Sequence, residues 1–171
     1  PIMQSTMELG LRGSYKGLSA VLIPTLCDTF RCVSQDWRFG VPDIPMIPVT
    51  QPQNRVYEGS VDFLISEYEA VLAKLSTVTG LKMTDAALEH TIEVYNEHSA
   101  LMREFAEVAN DHLDLITPTV RHTVMKSAHF FEKGEHNEIM KDILAGLKAL
   151  PKFDYTGKRI VLSGITAEPA E

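Results

Sequence analysis

The sequence lacks any long apolar run. No stretch of its 171 residues approaches the roughly 20 consecutive apolar residues that cross a bilayer. The first eight residues, PIMQSTME, contain neither the basic region nor the apolar core of a secretory signal peptide. We therefore expect a protein of the cytoplasm that has no membrane partner.

Basic residues are also scarce. The 16 lysines and arginines stand against 23 aspartates and glutamates, which gives a net charge of -7 and an isoelectric point near 5.4. Proteins that bind duplex nucleic acid neutralise its phosphates with a stripe of lysine and arginine, and this sequence has no such stripe. The composition therefore argues against a duplex nucleic-acid partner, and we expect no nucleic acid, whereas the charge is compatible with a small phosphate-bearing ligand.

Only two cysteines occur, Cys27 and Cys32. Two are too few for a disulfide scaffold, and a reducing cytoplasm leaves them free for metal or redox chemistry. The sequence also lacks a glycine-rich phosphate loop, a kinase signature, a Gly-x-Ser-x-Gly elbow and a His-Glu-x-x-His zinc motif. The six histidines are not spaced to converge on one metal ion, and we expect surface or packing roles for all of them: His90, His98, His112, His122, His129 and His136.

The turn that contains Cys27 is the most informative segment present. The apolar residues 21–23 stop at Pro24, which is typical of a short strand covered on both faces. Ligands of open α/β sheets bind just beyond the carboxyl ends of such strands. Asp28 and Thr29 favour a helix N-terminus, whose free N–H groups stabilise a thiolate. The pattern predicts a functional Cys27, and the alternative is a buried structural thiol.

The remainder of the chain is predicted to be mostly helical. The proline-rich segment 42–49 can form only a short or edge strand, and a helix then runs from an N-cap at Ser60 to Gly80. A long amphipathic helix of about 28 residues follows Thr84 or Asp85, and we interpret it as a spacer without chemistry. Two shorter helices are predicted over about 120–131 and 135–150, separated by Gly134, and a second strand over about 157–165.

A final strand with nothing after it is unusual, because isolated parallel strands do not stabilise themselves. The chain also opens at a proline. We therefore expect a fragment of a longer polypeptide.

Several of these segments resemble one family in order and spacing. The resemblance is strongest in residues 22–29 (LIPTLCDT), followed by Gln35 and Trp37, and it continues through weaker helical and strand matches: Thr79, Gly80, Leu88, residues 92–96 (IEVYN), residues 162–165 (LSGI) and Pro169. The chain resembles the D-component family of 2-hydroxyacyl-CoA dehydratases, which are relatives of 2-hydroxyglutaryl-CoA dehydratase and benzoyl-CoA reductase.

The resemblance implies an α/β fold of Rossmann-like (flavodoxin-like) lobes joined by a helical segment, of which only the middle is present here. Residues 1–57 would be the end of the first lobe, 58–151 the helical segment and 152–171 the start of the second lobe. It implies a heterodimer of two related subunits, each with a [4Fe-4S] cluster. It also implies a lyase that removes water from a 2-hydroxyacyl-CoA to give an enoyl-CoA by a radical route. That route starts after one-electron activation by an ATP-dependent iron-sulfur activator protein.

By position in the family turn, Cys27 would be a cluster ligand, with Thr25, Asp28 and Thr29 as hydrogen-bonding neighbours that tune the site. Cys32 is a second candidate ligand, although a spacing of five on a helix directs the two sulfur atoms differently. Cluster ligation needs several thiolates. The resemblance therefore implies that the other ligands lie outside these residues and that the fragment alone is inactive.

Two other functions stay open. The first is a ring reductase subunit of the benzoyl-CoA type, which shares the cluster and the electron supply. The second is a non-catalytic α/β scaffold or accessory protein. The sequence leaves the acyl group of the substrate and the choice between the two subunits undecided.

Overall fold

The computed structural model describes residues 2–158, which form two compact units, one through Thr84 and one from Asp85 onward. The predicted strand over 157–165 falls mostly outside the described residues. The elements in chain order are α1 (Ile2–Leu11), β1 (Val21–Pro24), α2 (Asp28–Gly40), β2 (Met46–Val49), α3 (Ser60–Thr79), α4 (Asp85–Val108), a 3₁₀ turn (Ala109–Asp111), α5 (Pro118–Ser127) and α6 (Lys133–Lys148). Within residues 2–158, no helix is both long and apolar enough to span a bilayer.

The first unit is built on a parallel pair of strands. β1 pairs with β2 in the register Val21 to Met46 and Pro24 to Val49, and α2 connects them. The strands predicted at residues 21–23 and within 42–49 are confirmed. The described chain is therefore mixed α/β, with one small parallel sheet and mostly helical elements. The Rossmann-like lobes and the division at residues 57 and 151 stay predictions.

Trp37 forms the centre of the core of this unit. Its side chain is 1% exposed and packs with Ile23, Val33 and Ile44. The indole Nε1 donates a hydrogen bond to the Ile44 carbonyl oxygen at 3.0 Å, so the buried polar atom of the ring is satisfied. This bond ties α2 to the loop that enters β2.

Helix α1 was not predicted from the sequence. It packs on α2 through Gly10, where a Cβ atom would approach Val41 Cγ2 to 2.8 Å, so a larger residue would force Val41 to shift. Met7 and Met3 lie one and two turns earlier on the same face and pack against the core. The apolar residues Ile2, Leu9 and Leu11 are exposed, which obscures this face in the sequence.

Helix α3 ends as predicted. Gly80 adopts a left-handed conformation (φ 72°), and its N–H donates to the Ser76 carbonyl oxygen at 2.9 Å. The predicted N-cap at Ser60 is wrong by one residue, because Gly59 is the N-cap and Ser60 begins the helix. The Ser60 hydroxyl instead donates to the Asn54 carbonyl oxygen in the preceding loop.

The second unit is helical and is centred on the packing of α4 against α6. Its core contains Phe105, Ala109 and Met140, all 0% exposed, together with Leu144 and Leu147. The regular part of the long helix has 24 residues and continues as the 3₁₀ turn, slightly shorter than the 28 residues predicted.

The two shorter helices are confirmed with shifted boundaries. Thr117 caps α5 by accepting a hydrogen bond from the Val120 N–H, and α5 ends at Ser127 instead of near residue 131. Glu132 caps α6 by accepting from the Glu135 N–H at 3.0 Å. Because this cap precedes Gly134, the glycine lies inside α6 and does not separate the helices.

Candidate functional site

Cys27 lies three residues beyond the end of β1 and immediately before α2. It is the N-cap residue, with extended backbone angles (φ -145°, ψ 171°), and its side chain makes no capping hydrogen bond. Its carbonyl oxygen accepts the first helical hydrogen bond, from the Arg31 N–H at 3.0 Å. The thiol is exposed in the structure of these residues, whereas the alternative of a structural cysteine predicts a buried one.

The predicted neighbours of Cys27 occupy the same edge of the sheet. Thr25 extends the strand pairing, since its N–H donates to the Val49 carbonyl oxygen at 3.0 Å. Asp28 and Thr29 begin α2 and are exposed, and the first amides of a helix have no carbonyl partner within it. This edge therefore presents N–H donors around the thiol, while the tuning roles of Thr25, Asp28 and Thr29 stay predictions.

Cys32 lies in the second turn of α2 and is also exposed. Because each residue of an α-helix rotates by about 100°, a separation of five residues points the two side chains in different directions. Within residues 2–158, no group of three or more His, Cys, Asp or Glu side chains is arranged to hold a metal ion. The two cysteines consequently do not form a metal site by themselves.

Cys27 fits the role of a single ligand to an iron-sulfur cluster. Such clusters are normally held by about four cysteine thiolates. The chain has two cysteines, both exposed, and of the two only Cys27 lies at the carboxyl end of a parallel strand. The residues present therefore fit as one part of a ligand set, with the other thiolates supplied elsewhere.

A cavity of about 500 Å³ lies at the same edge of the sheet. Arg31 lines it from the first turns of α2, the segment after β2 contributes residues from Thr50 to Tyr57, and Ser60 and Phe63 contribute from the start of α3. Sequence analysis missed this cavity because its walls come from three separate elements.

The loop wall of the cavity is held by its own hydrogen bonds. Asn54 Oδ1 accepts from the N–H groups of Val56 at 2.9 Å and Tyr57 at 3.2 Å, and the Asn54 carbonyl oxygen accepts from Ser60. At the other end of the loop, the Thr50 N–H donates to Glu67 Oε2 at 3.3 Å. The cavity is therefore bounded by an ordered loop. Asn54 was the signal available in the sequence, because asparagine side chains often accept a hydrogen bond from the N–H two residues later and so favour a turn.

A second polar cluster is buried in the helical unit. His98 Nδ1 lies 3.0 Å from Asn137 Oδ1, and the Asn137 amide nitrogen donates to the Val94 carbonyl oxygen and to Glu97 Oε2, both at 3.2 Å. Because the Asn137 oxygen can only accept, His98 Nδ1 carries a proton. Asn137 thus joins α4 and α6 through three contacts.

His136 is the other histidine of this cluster, with its ring centroid 5.0 Å from that of His98. The Ser127 hydroxyl donates to the Val124 carbonyl oxygen at 2.7 Å, so it accepts from His136 Nε2 at 2.9 Å. The remaining ring atom, Nδ1, is buried and has no hydrogen-bond partner among the described residues. Burial lowers the pKa of His136 below 6.5, and His98 and Lys133 lower it further.

These buried histidines have packing roles, as the sequence analysis predicted for histidines in general. Their pairing was missed because His98 and Asn137 are 39 residues apart, and no local pattern encodes such a contact.

The first unit is α/β and carries an exposed cysteine at the carboxyl end of a parallel strand. This arrangement is typical of proteins that bind a cofactor or ligand at that edge of the sheet. The sequence matches the family described as 2-hydroxyglutaryl-CoA dehydratase, D-component, over residues 1–171. The chain belongs to this family, and the resemblance found in the sequence is confirmed.

Three curated relatives match nearly the whole chain. The lactoyl-CoA dehydratase subunit beta of Anaerotignum propionicum is 44% identical over 99% of this chain and 45% of the relative. The (R)-phenyllactyl-CoA dehydratase beta subunit of Clostridium sporogenes is 40% identical over 98% and 45%. The (R)-2-hydroxyglutaryl-CoA dehydratase subunit beta of Acidaminococcus fermentans is 36% identical over 96% and 44%. The chain thus spans somewhat less than half the length of these relatives.

Proposed function

We propose that this chain is part of a subunit of a 2-hydroxyacyl-CoA dehydratase, a hydro-lyase that removes water from the thioester to give an enoyl-CoA. The family match over all 171 residues supports this, as do the names of three relatives that are 36–44% identical. The observation that carries the proposal is the exposed, unpaired Cys27 thiol beyond the carboxyl end of β1.

Cys27 is proposed to hold one iron of a [4Fe-4S] cluster, with the other thiolates coming from polypeptide outside these 171 residues. When bound, such a cluster supplies single electrons at low potential, which acid–base side chains cannot provide. The extended backbone at Cys27 presents the thiol to the edge of the sheet, beside the first-turn amides of α2. Thr25, Asp28 and Thr29 are proposed to orient and tune this ligand.

The larger architecture is part of the same proposal. Residues 1–57 would complete a first Rossmann-like lobe, 58–151 would form the helical segment, and 152–171 would begin a second lobe. The partners would be a related second subunit, the acyl-CoA substrate and an ATP-dependent iron-sulfur activator protein, all in the cytoplasm. The beta-subunit names of the relatives support a two-subunit enzyme.

The first test is iron binding by the complete protein, purified without oxygen together with its partner subunit. Iron, acid-labile sulfide and electron paramagnetic resonance would be measured for the wild type, Cys27→Ser and the matched control Cys32→Ser. We expect Cys27→Ser to lose most of the iron of this subunit and Cys32→Ser to lose little. Both cysteine side chains are exposed, and Cys27 makes no capping hydrogen bond, so the circular dichroism of both variants should match the wild type.

The outcomes separate the alternatives. Equal iron loss in both variants would contradict the choice of Cys27 over Cys32, and unchanged iron in both would remove the ligand role. With the activator protein and ATP, lactoyl-CoA or phenyllactyl-CoA should give an enoyl-CoA. Reduction of benzoyl-CoA instead would support the ring reductase, and a complete protein that binds no iron would support the scaffold.

A further inference from the structure

Helix α5 is attached to the rest of the helical unit by few contacts. None of its ten residues is buried, and Val124 packs only partly against the core. In its first half, Arg121 donates to the Ala106 carbonyl oxygen of α4 at 2.9 Å. At its C-terminal end, the Ser127 hydroxyl accepts from His136 Nε2 at 2.9 Å. The guanidinium stays charged at every ordinary pH, whereas the imidazole can gain a proton.

The buried ring of His136 has no place for a second proton. The side chain is 1% exposed, and its Nε2 already carries the proton that is donated to Ser127. A second proton would bind Nδ1, which is buried and has no hydrogen-bond partner among residues 2–158. The protonated ring would therefore bury a charge and an unsatisfied donor together, which is costly.

The groups around His136 oppose a positive charge or carry none. The His98 ring of α4 lies 5.0 Å from the His136 ring, and the Phe131 ring of the α5–α6 turn lies 5.9 Å away. Helix α6 contributes the Lys133 ammonium, and α5 contributes the uncharged Ser127 hydroxyl. Burial, then His98 and Lys133, lower the pKa of His136 below 6.5.

The carboxylate that is bonded into this cluster has other partners. Glu97 Oε2 accepts from Asn137 at 3.2 Å, and Glu97 Oε1 pairs with Lys141 at 2.8 Å. His98 Nδ1 is likewise bonded to Asn137 Oδ1. These contacts leave a protonated His136 without a compensating acceptor among the described residues.

We propose that the His136–Ser127 contact is an acid-sensitive switch that holds the C-terminal end of α5 against α6. When His136 gains a proton, the ring moves out to water and its hydrogen bond to Ser127 breaks. The Arg121 contact does not titrate in this range and keeps the first half of α5 in place. The opening is therefore local, and it uncovers Ala128, which is buried at the end of α5. The inference is independent of the proposed function.

The test is amide hydrogen–deuterium exchange of the complete protein between about pH 8 and pH 5, followed by mass spectrometry of its peptides. Rates would be corrected for the intrinsic effect of pH on amide exchange. Below pH 6.5, we expect protection over residues 124–130 to fall by up to about tenfold per pH unit, the limit for one proton. Peptides from α4 and α6 should keep their protection.

Three variants identify the groups responsible. His136→Gln should remove the pH dependence, because the glutamine amide can still donate to Ser127 and does not titrate. Ser127→Ala should lower the protection of residues 124–130 already at about pH 8, since the contact is absent at every pH. His129→Gln is the matched control: His129 is an exposed histidine in the turn after α5, and this variant should keep the wild-type profile.

Constant protection of residues 124–130 across this pH range would overturn the proposal, as would equal losses in α4, α5 and α6. A wild-type pH profile in His136→Gln would also overturn it. If His136→Gln does not fold, as judged by circular dichroism at about pH 8, Ser127→Ala decides by itself. Wild-type protection in Ser127→Ala at that pH would show that the contact does not hold α5.

Discussion

The two units of this protein differ in whether their most notable polar side chains are exposed or buried. In the unit through Thr84, Cys27 and Arg31 are exposed at the edge of a small sheet and have no strong partner among residues 2–158. In the unit from Asp85 onward, Asn137 and His136 are each 1% exposed and bonded within the helical core.

Exposed and buried polar side chains have different roles in a protein. An exposed and weakly paired group stays available to an external ligand, whereas a buried group must be bonded inside the protein to offset its desolvation. Asn137 can satisfy its hydrogen bonds only in one alignment of α4 and α6, so the network selects that alignment. The first unit therefore carries the proposed chemistry, and the second provides a specific helical packing.

The largest stability effect is expected from Phe105→Ala in the helical core. Phe105 is fully buried, and removing such a ring typically costs about 3–5 kcal/mol. Urea unfolding followed by circular dichroism would measure this loss. Phe39→Ala is the control, because Phe39 is 87% exposed and its removal should change the unfolding free energy by less than about 0.5 kcal/mol.

The same experiment tests the separation into two units. Trp37 is the sole tryptophan and lies in the first unit, so its fluorescence reports the unfolding of that unit. If the units are separately stable, Phe105→Ala should shift the dichroism transition more than the fluorescence transition. Identical shifts would show that the two units unfold as one.

The next largest effect is expected from Asn137→Ala. This change leaves His98 Nδ1 without its partner, and an unsatisfied buried group costs about 1–3 kcal/mol. A double-mutant cycle with His98→Ala would measure the coupling. We expect the combined loss to be smaller than the sum of the single losses, and simple additivity would contradict a direct His98–Asn137 bond.

The third prediction concerns acid. Burial lowers the pKa of folded His136 below the unfolded value of 6.5, so the unfolded chain binds more protons in that window. The stability contributed by neutral His136 is full above pH 6.5 and is lost as the pH falls from there through the lowered pKa, by at most about 1.4 kcal/mol per pH unit.

His136→Gln should flatten this pH dependence, since glutamine can still donate to Ser127 but does not titrate. His129→Gln, at an exposed histidine, should leave the pH profile of the wild type in place. Equal profiles for wild type and His136→Gln would show that His136 does not titrate in this window.

The smallest effect is expected on the surface of the helical unit. Lys141 pairs with Glu138 at 2.7 Å and with Glu97 at 2.8 Å, and hydrogen bonds to these two carboxylates raise its pKa. Because these groups are solvent-exposed, Lys141→Met should lower the melting temperature only slightly, and high salt should remove the difference. A salt-independent loss would indicate that the Lys141 stem contributes by packing.

Local signals allowed much of the first unit to be predicted. The strand before Pro24, the helix that begins after Cys27 and the stop at Gly80 each depend on residues within a few positions of one another. Helix α1 was missed because its packed face consists of Met3, Met7 and a glycine, which carry little periodic signal.

The same contrast applies to the long helix α4. Its apolar periodicity predicted a helix correctly, but the residues that are buried are His98 and Phe105, whereas Leu88 and Ile92 remain about half exposed. The spacing of apolar residues in α4 does not show which of its turns are covered by α6. The covered turns are those that contact Asn137 and Met140 of α6, and these residues are distant in sequence.

The amino-acid sequence by itself determined where the strands and most helices lie and that Cys27 follows a strand, because caps, prolines and glycines act on their immediate neighbours. Only the tertiary structure decided that Arg31, Tyr57 and Phe63 surround one cavity and that His98, His136 and Asn137 share one buried network. Those groups are distant in sequence, and their contacts form when burial of the surrounding apolar side chains brings their helices and loops together.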